Sequence, residues 1–533
     1  MTPQGRTRGR VVGLLTTLGV LVTVVVGFAP TASAQGYVPI SGSGSTWSFN
    51  ALDQWRKNVQ QFGIRINFSG TGSTDGRNQF KANQVDFAVS EIPYGLTDGG
   101  VRDDPPKDGN FAYMPIVAGG TSLMYNLNIG GKRVTNLRLS GETVTKMFTR
   151  KITMWNDPAI AADNPALSLP ARQILPVVRS DGSGSTAQFT SYLADQHGGL
   201  WDEFCAKAGR KTPCGFTSSF PAYAGIVGQV GSIGVANYVR QAQSDGAITY
   251  VEYSYAKNAG FPVAKLLNKS GYFIAPTAQA VAVGLLQAQI DPNDLTQKLQ
   301  GVYNSSDNRT YPMSSYSYMI LPTAVKGNFN ELKGKTLSDF AYYFLCEGQQ
   351  QAERLGFSPL PINLVTAGLK QVERIPGSTK KPTDISKCNN PTFSTNGSNT
   401  LAETAPRPPD CDKLGATVQC DATGKAVTKK GAAAAKPTTG AGAVKPGDTA
   451  PGAAETPGAD KAAADTGEDG EASGEATEEG GDGSGGGASL SAVPVSVDLP
   501  QDDGTLLIVV AAVLMVVLVA GPPLVARLMR GKG

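Results

Sequence analysis

Hydrophobic and polar positions alternate along the chain in two different periods. Between residues 36 and 375, short strand-like runs such as IRINFSG, VDFAVS and AITYVEY alternate with helix-like runs such as RNQFKANQ and TAQFTSYLADQ. Strands that alternate with helices at this spacing predict an α/β fold with largely parallel sheets. A segment of about 340 residues is long enough to divide into two lobes. Ligands of such folds bind where strand C-termini meet helix N-termini.

A longer apolar run lies near the start of the chain. Residues 11–28 are apolar, follow Arg6, Arg8 and Arg10, and precede the small-residue sequence ASA. This layout predicts a secretory signal peptide over residues 1–34, with an uncleaved membrane anchor as the alternative.

A second apolar run lies at the other end. Residues 505–526 carry no charge and are long enough for one transmembrane helix across a hydrocarbon core of ~30 Å. The basic tail, residues 527–533, predicts that this helix ends inside the cell. The layout also resembles a sortase sorting signal, but LPQDDG at residues 499–504 lacks the Thr that this signal needs. A retained helix is therefore the preferred interpretation.

Composition and charge narrow the classes of function. The chain has 47 basic and 44 acidic residues and a formal charge of +3. The predicted signal peptide and the predicted tail each carry three cations, which leaves the exported part slightly acidic. This balance excludes a broad basic face for nucleic acid. Because His197 is the single histidine, multi-histidine metal sites are excluded as well, and we predict no metal and no cofactor.

The C-terminal third differs in composition from the rest. Residues 421–504 are rich in Gly, Ala and acidic residues, and we predict a disordered linker there. Residues 376–420 form a Pro-rich extension with three cysteines, and the even number of six cysteines in an exported chain suggests disulfides. Proximity in sequence favours the pairs Cys205–Cys214, Cys346–Cys388 and Cys411–Cys420. Zinc binding is the alternative, which the nine-residue spacings and the single histidine disfavour.

A short motif occurs three times. GSGST at residues 42–46 (loop 1), GTGST at 70–74 (loop 2) and GSGST at 182–186 (loop 3) share the pattern G-[ST]-G-S-T, and each precedes a helix-like stretch. Glycine lets the backbone approach a ligand closely, and Ser or Thr caps a helix whose free N–H groups and dipole attract an anion. Ordinary turns are the alternative, but three copies in one domain favour an anion site.

Three charged residues extend this interpretation. Arg179 precedes loop 3 and can clamp an oxyanion, while Asp181 can fix its orientation. Glu91 follows a buried-looking strand. A carboxylate beside an anion makes sense if the anion carries a proton that it can donate to Glu91, as protonated phosphate does and sulfate does not.

In these motifs the chain resembles the phosphate-binding proteins of Pst-type ABC importers, from about residue 40 to residue 375. The similar segments include GSGSTW, INFSGTGSTDGRNQFKANQVDFAVSEIP, KITMWNDPAI, VVRSDGSGSTAQFTSYL and ITYVEYSYAKNAG. The resemblance implies a type II periplasmic-binding-protein fold, with two lobes and hinge crossovers. We assign residues 36–124 and 316–375 to lobe I and residues 125–315 to lobe II.

The resemblance also implies a set of ligand contacts. Carried over motif by motif, the phosphate-binding residues are Thr46, Trp47 (through its backbone N–H), Ser73, Glu91, Arg179, Ser183, Gly184 (through its backbone N–H) and Ser185, with Asp181 supporting Arg179. Two positions depart from the family. Glu91 stands where Asp is usual and Ser185 where Thr is common. Both keep the hydrogen-bonding chemistry, but the longer side chain of Glu91 puts the affinity and the identity of the ligand in question.

The predicted function is that of a non-enzymatic receptor outside the cell, anchored by the C-terminal helix. It would capture inorganic phosphate and deliver it to the permease of an ABC importer. A serine or phosphate-ester hydrolase is one alternative, since Ser254 and Lys257 fit S-x-x-K and SDN occurs at residues 306–308. No K-T-G follows these motifs. A surface adhesin on a stalk is the other alternative, and it leaves the three loops unexplained.

Overall fold

A computed structural model of the chain describes residues 36–394 and 397–428. The predicted signal peptide, transmembrane helix and tail lie outside these residues, as does the predicted linker from residue 429 onward. Within the described part of the chain, no helix is both long enough and apolar enough to span a membrane.

An eleven-stranded mixed sheet forms the centre of the fold. Its strands are β1 (Ile40–Gly44), β2 (Ile66–Ser69), β3 (Phe87–Ser90), β6 (Phe111–Tyr125), β9 (Arg138–Leu139), β10 (Leu175–Arg179), β11 (Val227–Gln229), β12 (Ala247–Glu252), β13 (Val263–Leu267), β14 (Phe273–Ile274) and β17 (Ser314–Pro322). The order along the main path is β11-β10-β12-β6-β17-β3-β1-β2. The predicted α/β class is confirmed. The sheet is less parallel than expected, because β6 and β17 run antiparallel to their neighbours.

Short strand pairs and helices complete the architecture. The pairs are β4 (Thr97–Asp98) with β5 (Val101–Arg102), β7 (Asn128–Ile129) with β8 (Lys132–Arg133), β15 (Gln289–Ile290) with β16 (Gln297–Lys298), and β18 (Gln419–Cys420) with β19 (Ala426–Val427). The helices are α1 (Phe49–Val59), α2 (Ser73–Lys81), α3 (Gly141–Phe148), α4 (Pro158–Asp163), α5 (Gly184–Lys207), α6 (Gly231–Val239), α7 (Tyr253–Ala259), α8 (Ala278–Leu285), α9 (Gln300–Tyr303), α10 (Glu331–Leu345), α11 (Ala352–Leu355), α12 (Ile362–Glu373) and α13 (Thr400–Glu403). Four fully buried tryptophans anchor the core: Trp47, Trp55, Trp155 and Trp201.

Strands β6 and β17 divide the sheet into two sides. Strands β1, β2 and β3 are parallel on one side, and β10, β11 and β12 are parallel on the other. We call these sides, with the helices on them, lobe I and lobe II. β6 pairs with β17 over residues 111–120 and with β12 over residues 121–125, so the chain passes between the lobes near residue 120. The exact lobe boundaries given above remain predictions.

A β-bulge interrupts the pairing of β6 with β17. Ser317 pairs with Val117 and Tyr318 with Pro115, so Ile116 is the extra residue. A proline inside a strand is tolerated at such a bulge because the ladder is already broken there. The side-chain amide of Gln349 donates to the Ile116 carbonyl (3.0 Å) and satisfies it.

The predicted extension contacts both lobes; from here on the name covers residues 376–428, because residues 421–428 continue it. The Cys346–Cys388 disulfide ties its start to lobe I. In lobe II, Arg138 Nη1 donates to the Cys411 carbonyl (2.7 Å).

All three predicted disulfides are present, and they take up all six cysteines, which removes the zinc alternative. Residues 421–428 of the predicted linker belong to the β18–β19 hairpin, whose turn is held by a hydrogen bond from the Lys425 N–H to Asp421 Oδ1 (3.0 Å).

Candidate anion-binding site

The three Gly-Ser loops meet between the lobes. Loops 1, 2 and 3 connect β1 to α1, β2 to α2 and β10 to α5, which confirms a helix after each motif. The Gly72 N–H of loop 2 donates to the Gly44 carbonyl of loop 1 (2.8 Å), and the Thr74 N–H donates to the Gly182 carbonyl of loop 3 (3.2 Å). Three helix N-termini therefore converge on one point.

This convergence depends on two glycines. Gly72 has φ +100°, and a Cβ there would lie 2.8 Å from both Asp181 Oδ2 and the Gly182 carbonyl. A Cβ at Gly184 would lie 1.8 Å from Glu91 Oε2. The absence of side chains at these positions is what lets the loops and the carboxylate approach each other.

Glu91 lies at the centre of a serine cluster. It is 2% exposed, and it accepts hydrogen bonds from the hydroxyls of Ser45 (2.7 Å), Ser73 (2.8 Å) and Ser317 (2.7 Å). Burial raises the pKa of Glu91, and the three hydroxyls counter that rise only in part. The carboxyl is thus a buried proton acceptor at the point where the loops meet.

The same hydroxyls also hold two backbone N–H groups. The Gly184 N–H donates to Ser73 Oγ (3.1 Å), and the Trp47 N–H donates to Ser45 Oγ (2.9 Å). These are the two N–H groups that the sequence assigns to the ligand. A hydroxyl can rotate between acceptors, so an anion can take over these donors without movement of the backbone.

Arg179 supplies the positive charge of the site. It is 2% exposed, its Nε donates to Asp181 Oδ1 (2.7 Å), its Nη2 pairs with Asp181 Oδ2, and its Nη1 donates to Ser232 Oγ (3.1 Å). Among the described residues, these three bonds leave two of the five guanidinium N–H groups for a ligand. The predicted support of Arg179 by Asp181 is therefore present.

Asp181 is itself fixed in place. Besides Arg179, its carboxylate accepts the Gly231 N–H (3.0 Å). Burial alone would raise the pKa of Asp181, but the hydrogen bonds and charge of Arg179 hold it below its usual value. The carboxylate stays ionised and holds the guanidinium in one orientation.

Thr46 reaches across to lobe II. Its hydroxyl lies 2.9 Å from Ser232 Oγ and accepts the Ser232 N–H (3.1 Å). Ser232 in turn contacts Arg179, so the first loop and the arginine are joined through one buried serine.

The start of α5 carries the last predicted residues. Ser183 caps the helix by accepting the Thr186 N–H (3.2 Å). The hydroxyl of Ser185 is buried and has no hydrogen-bond partner among the described residues. Buried hydroxyls are nearly always paired, so this one is a donor that remains available to a ligand. The structure thus brings every predicted site residue into one cluster.

Comparisons with known proteins identify the family of the chain. The family model described as a PBP superfamily domain matches residues 29–347. The phosphate-binding protein PstS of Xylella fastidiosa (strain Temecula1) is 31% identical over 348 residues, which cover 64% of this chain and 86% of that protein. This chain belongs to the PstS family.

Further proteins match over similar lengths. Phosphate-binding protein PstS 2 of Mycobacterium tuberculosis is 29% identical over 371 residues, covering 66% of this chain and 94% of that protein. Among solved structures, the ancestral soluble variant of the human phosphate binding protein matches with a TM-score of 0.46 and 20% identity, over 62% of this chain and 93% of that chain.

Three residues of this cluster, Ser232, Ser45 and Ser317, were not predicted from the sequence. Ser232 had a signal, because Gly231-Ser232 follows β11 and opens α6 in the same strand–glycine–serine–helix order as the loops. Ser45 lies inside loop 1, directly before the predicted Thr46, so the motif itself contained its signal. Ser317 had no local signal, since the β-bulge beside it sets its position.

The hydrolase motifs do not form a catalytic pair. Ser254 is buried and its hydroxyl accepts from the Asn50 side chain (2.7 Å), whereas Lys257 Nζ donates to the Glu353 carbonyl (3.0 Å). The chain belongs to a family of binding proteins, as predicted, and not to a family of hydrolases.

His197, the single histidine of the chain, lies inside α5 at a kink (φ −139°), and its ring packs edge-on against Tyr192. Burial lowers the pKa of His197.

Among the described residues, no group of three His, Cys, Asp or Glu side chains is placed to hold a metal ion.

Proposed function

We propose that this chain is an extracytoplasmic receptor that captures inorganic phosphate between its two lobes and delivers it to the permease of an ABC-type phosphate importer. Membership of the PstS family supports the ligand and the transport role. The chemistry of the site supports the same conclusion independently.

The observation that carries the proposal is the meeting of three helix N-termini beside a buried arginine. Loops 1 and 2 come from lobe I and loop 3 from lobe II, so a bound anion would touch both lobes. The unpaired Ser185 hydroxyl and the two unused N–H groups of Arg179 supply donors that the described chain itself does not use. An anion held by dipoles and one cation needs no net positive surface.

Neutral donors and one cation would hold the phosphate. In this proposal Arg179 binds two oxygens through its planar fork, and Asp181 keeps that fork in position. The remaining donors are the hydroxyls of Thr46, Ser73, Ser183 and Ser185 and the backbone N–H groups of Trp47 and Gly184. Ser45 and Ser317 would stay with Glu91, which keeps the carboxyl oriented.

Glu91 would select for a protonated anion. Hydrogen phosphate can donate its proton to the carboxylate, whereas sulfate presents only acceptors to it. A buried acceptor left facing another acceptor costs about 1–3 kcal/mol or more, which corresponds to a discrimination of about tenfold or better. The longer Glu side chain also lies against the Gly184 backbone, so phosphate must displace the carboxyl slightly as it binds.

We also propose that residues 1–34 direct export and that residues 505–526 anchor the receptor. The sequence patterns of both ends support this. If so, the intact chain sediments with membranes, and a protease added outside the cell releases the part that contains the two lobes. Recovery of the intact chain in the soluble fraction would refute the anchor alone.

Isothermal titration of the purified full chain tests the ligand. We expect heat with phosphate at micromolar protein and binding of sulfate that is weaker by about tenfold or more under the same conditions. No heat with phosphate refutes the proposed function. Equal binding of sulfate refutes the role of Glu91 and leaves phosphate capture intact.

A further inference from the structure

A carboxylate at the mouth of the cleft joins the lobes without belonging to the phosphate site. Asp98 ends β4 in the β4–β5 hairpin of lobe I. Its Oδ2 accepts the Ser218 N–H (2.7 Å) and the Ser218 hydroxyl (2.5 Å). One oxygen therefore collects two donors from a single residue of lobe II.

Ser218 is firmly attached to lobe II. Its carbonyl accepts the N–H of Ser183, the residue that caps α5 (2.8 Å). The preceding residue, Thr217, exchanges hydrogen bonds with the Thr190 hydroxyl through both its N–H and its carbonyl (2.9 Å each). A displacement of Ser218 is therefore transmitted to loop 3 through this hydrogen bond.

The hairpin is attached equally firmly to lobe I. Asp103, just after β5, accepts from Arg77 Nε (2.6 Å) and pairs with Lys81 Nζ (2.5 Å), and both cations belong to α2. Since α2 begins in loop 2, Asp98 and Ser218 connect the elements that carry loops 2 and 3. The Thr74 hydroxyl of loop 2 also donates to Ser218 Oγ (3.1 Å).

This contact lies where the cleft meets solvent. A groove of about 1050 Å³ runs along it, lined on one side by residues 97–103 and on the other by residues 209–219. Asp98 is half-buried and Ser218 is buried. Water can therefore replace the contact when the lobes separate, and the contact can re-form when they close.

We propose that Asp98 is a latch that stabilises the closed receptor and slows the release of phosphate. It is a positioning residue, because it acts through Ser218 and does not touch the ligand. Hydrogen bonds to a carboxylate are about twice as strong as neutral ones, and separation of the lobes would break this pair, because its two residues belong to different lobes. The latch therefore lowers the dissociation rate and leaves the association rate nearly unchanged. The proposal rests on the proposed function for its ligand.

Stopped-flow measurement of phosphate association and dissociation on the full chain tests the latch. Asp98→Ala should raise the dissociation rate about tenfold and change the association rate less than about twofold. Asp104→Ala is the matched control, because Asp104 lies on the same hairpin, pairs with Arg102 in solvent and is 76% exposed. A merely structural role of Asp98 would instead lower thermal stability and change both rates.

The latch is overturned if Asp98→Ala and Asp104→Ala release phosphate at rates within twofold of each other. If the wild-type chain binds no phosphate, the proposed function fails, and a second measurement decides the latch alone. Energy transfer between dyes on Gln61 of lobe I and Gln243 of lobe II, both exposed, reports the distance between the lobes. Asp98→Ala should then lengthen the mean distance relative to Asp104→Ala, and equal distances overturn the latch.

Discussion

Besides the central strands β6 and β17, two very different sets of contacts join the lobes. At the cleft, side-chain hydrogen bonds connect the lobes: the Thr46 hydroxyl pairs with the Ser232 hydroxyl, and the Asp98 carboxylate accepts from Ser218. Along the extension, a disulfide ties the segment to lobe I and the buried Arg138 binds it to lobe II through a backbone carbonyl.

The hydrogen bonds at the cleft can exchange their partners, whereas the contacts of the extension persist. Hydroxyl groups accept and donate with little reorganisation, so water or an anion can replace their partners. A disulfide is covalent, and a buried guanidinium deprived of its carbonyl partners costs about 1–3 kcal/mol or more. We therefore expect changes at the cleft to alter phosphate affinity and changes at the extension to alter the free energy of unfolding.

The largest effect is expected from the cation of the cleft. Arg179→Ala should weaken phosphate binding by at least about 100-fold, or about 3 kcal/mol, because it removes the buried partner of a charged ligand. Isothermal titration measures the change. Arg172→Ala is the control, since Arg172 is 42% exposed and pairs with Asp245 at the surface. Equal affinities of the two variants would remove Arg179 from the site.

The next largest effect is expected at the extension, on the free energy of unfolding. Replacing Cys346 and Cys388 together with Ser should lower the free energy of unfolding by about 2–4 kcal/mol, because the lost bond closed a long loop. Phosphate affinity should stay within about twofold. Urea unfolding and titration of the same sample measure both quantities.

The Cys411–Cys420 pair provides the matched control for that experiment. It spans nine residues rather than 42, so its loss should reduce stability less. A large loss of phosphate affinity in the Cys346/Cys388 variant would show that the extension belongs functionally to the cleft, and the distinction drawn above would fail.

A smaller effect concerns selectivity within the cleft. Glu91→Gln offers the ligand an amide donor in place of a carboxylate acceptor, so sulfate should gain on phosphate by about tenfold, or about 1.4 kcal/mol. Competition titrations with both anions measure the ratio. An unchanged ratio of phosphate to sulfate affinity would mean that Glu91 does not accept a hydrogen bond from the proton of the ligand.

The last effect concerns pH and a buried carboxyl behind the cleft. Glu252 is fully buried, its Oε1 has no partner among the described residues, and burial raises its pKa well above the usual value. Because the folded state then binds the proton more tightly, the stabilisation is complete below the unfolded pKa and is lost as pH rises through the folded pKa. The slope is at most about 1.4 kcal/mol per pH unit for one proton.

Urea unfolding at pH 5 and pH 8 checks this expectation. Glu252→Gln should make the free energy of unfolding less dependent on pH than in the wild type. Glu373→Gln, a change at an exposed carboxylate, should leave the wild-type slope. A Glu252→Gln slope equal to that of the wild type would show that Glu252 does not titrate between these values.

The local parts of the site were predictable, and the long-range parts were not. Each loop is a contiguous strand–glycine–serine–helix pattern, and Arg179 and Asp181 lie two residues apart, so short windows of sequence contain their chemistry. Ser317 reaches Glu91 from a strand 226 residues away beside a β-bulge. Register and bulge position depend on tertiary packing, which periodicity does not encode.

The fold shows the same division. The alternation of strands and helices predicted an α/β fold for residues 36–375, and the spacing of the cysteines predicted all three disulfides. The antiparallel course of β6 and β17 was missed, because direction within a sheet depends on which strands become neighbours. The composition of the extension likewise did not indicate that Arg138 would bind the Cys411 carbonyl.

A crystal structure of the chain with phosphate tests the central claim most directly. The account predicts phosphate between the lobes, with oxygens within about 3.2 Å of the Arg179 guanidinium, the Ser185 hydroxyl and the Gly184 N–H, and with one oxygen against Glu91. Phosphate bound elsewhere, with the Ser185 hydroxyl still unpaired and the Gly184 N–H still bound to Ser73, would contradict it.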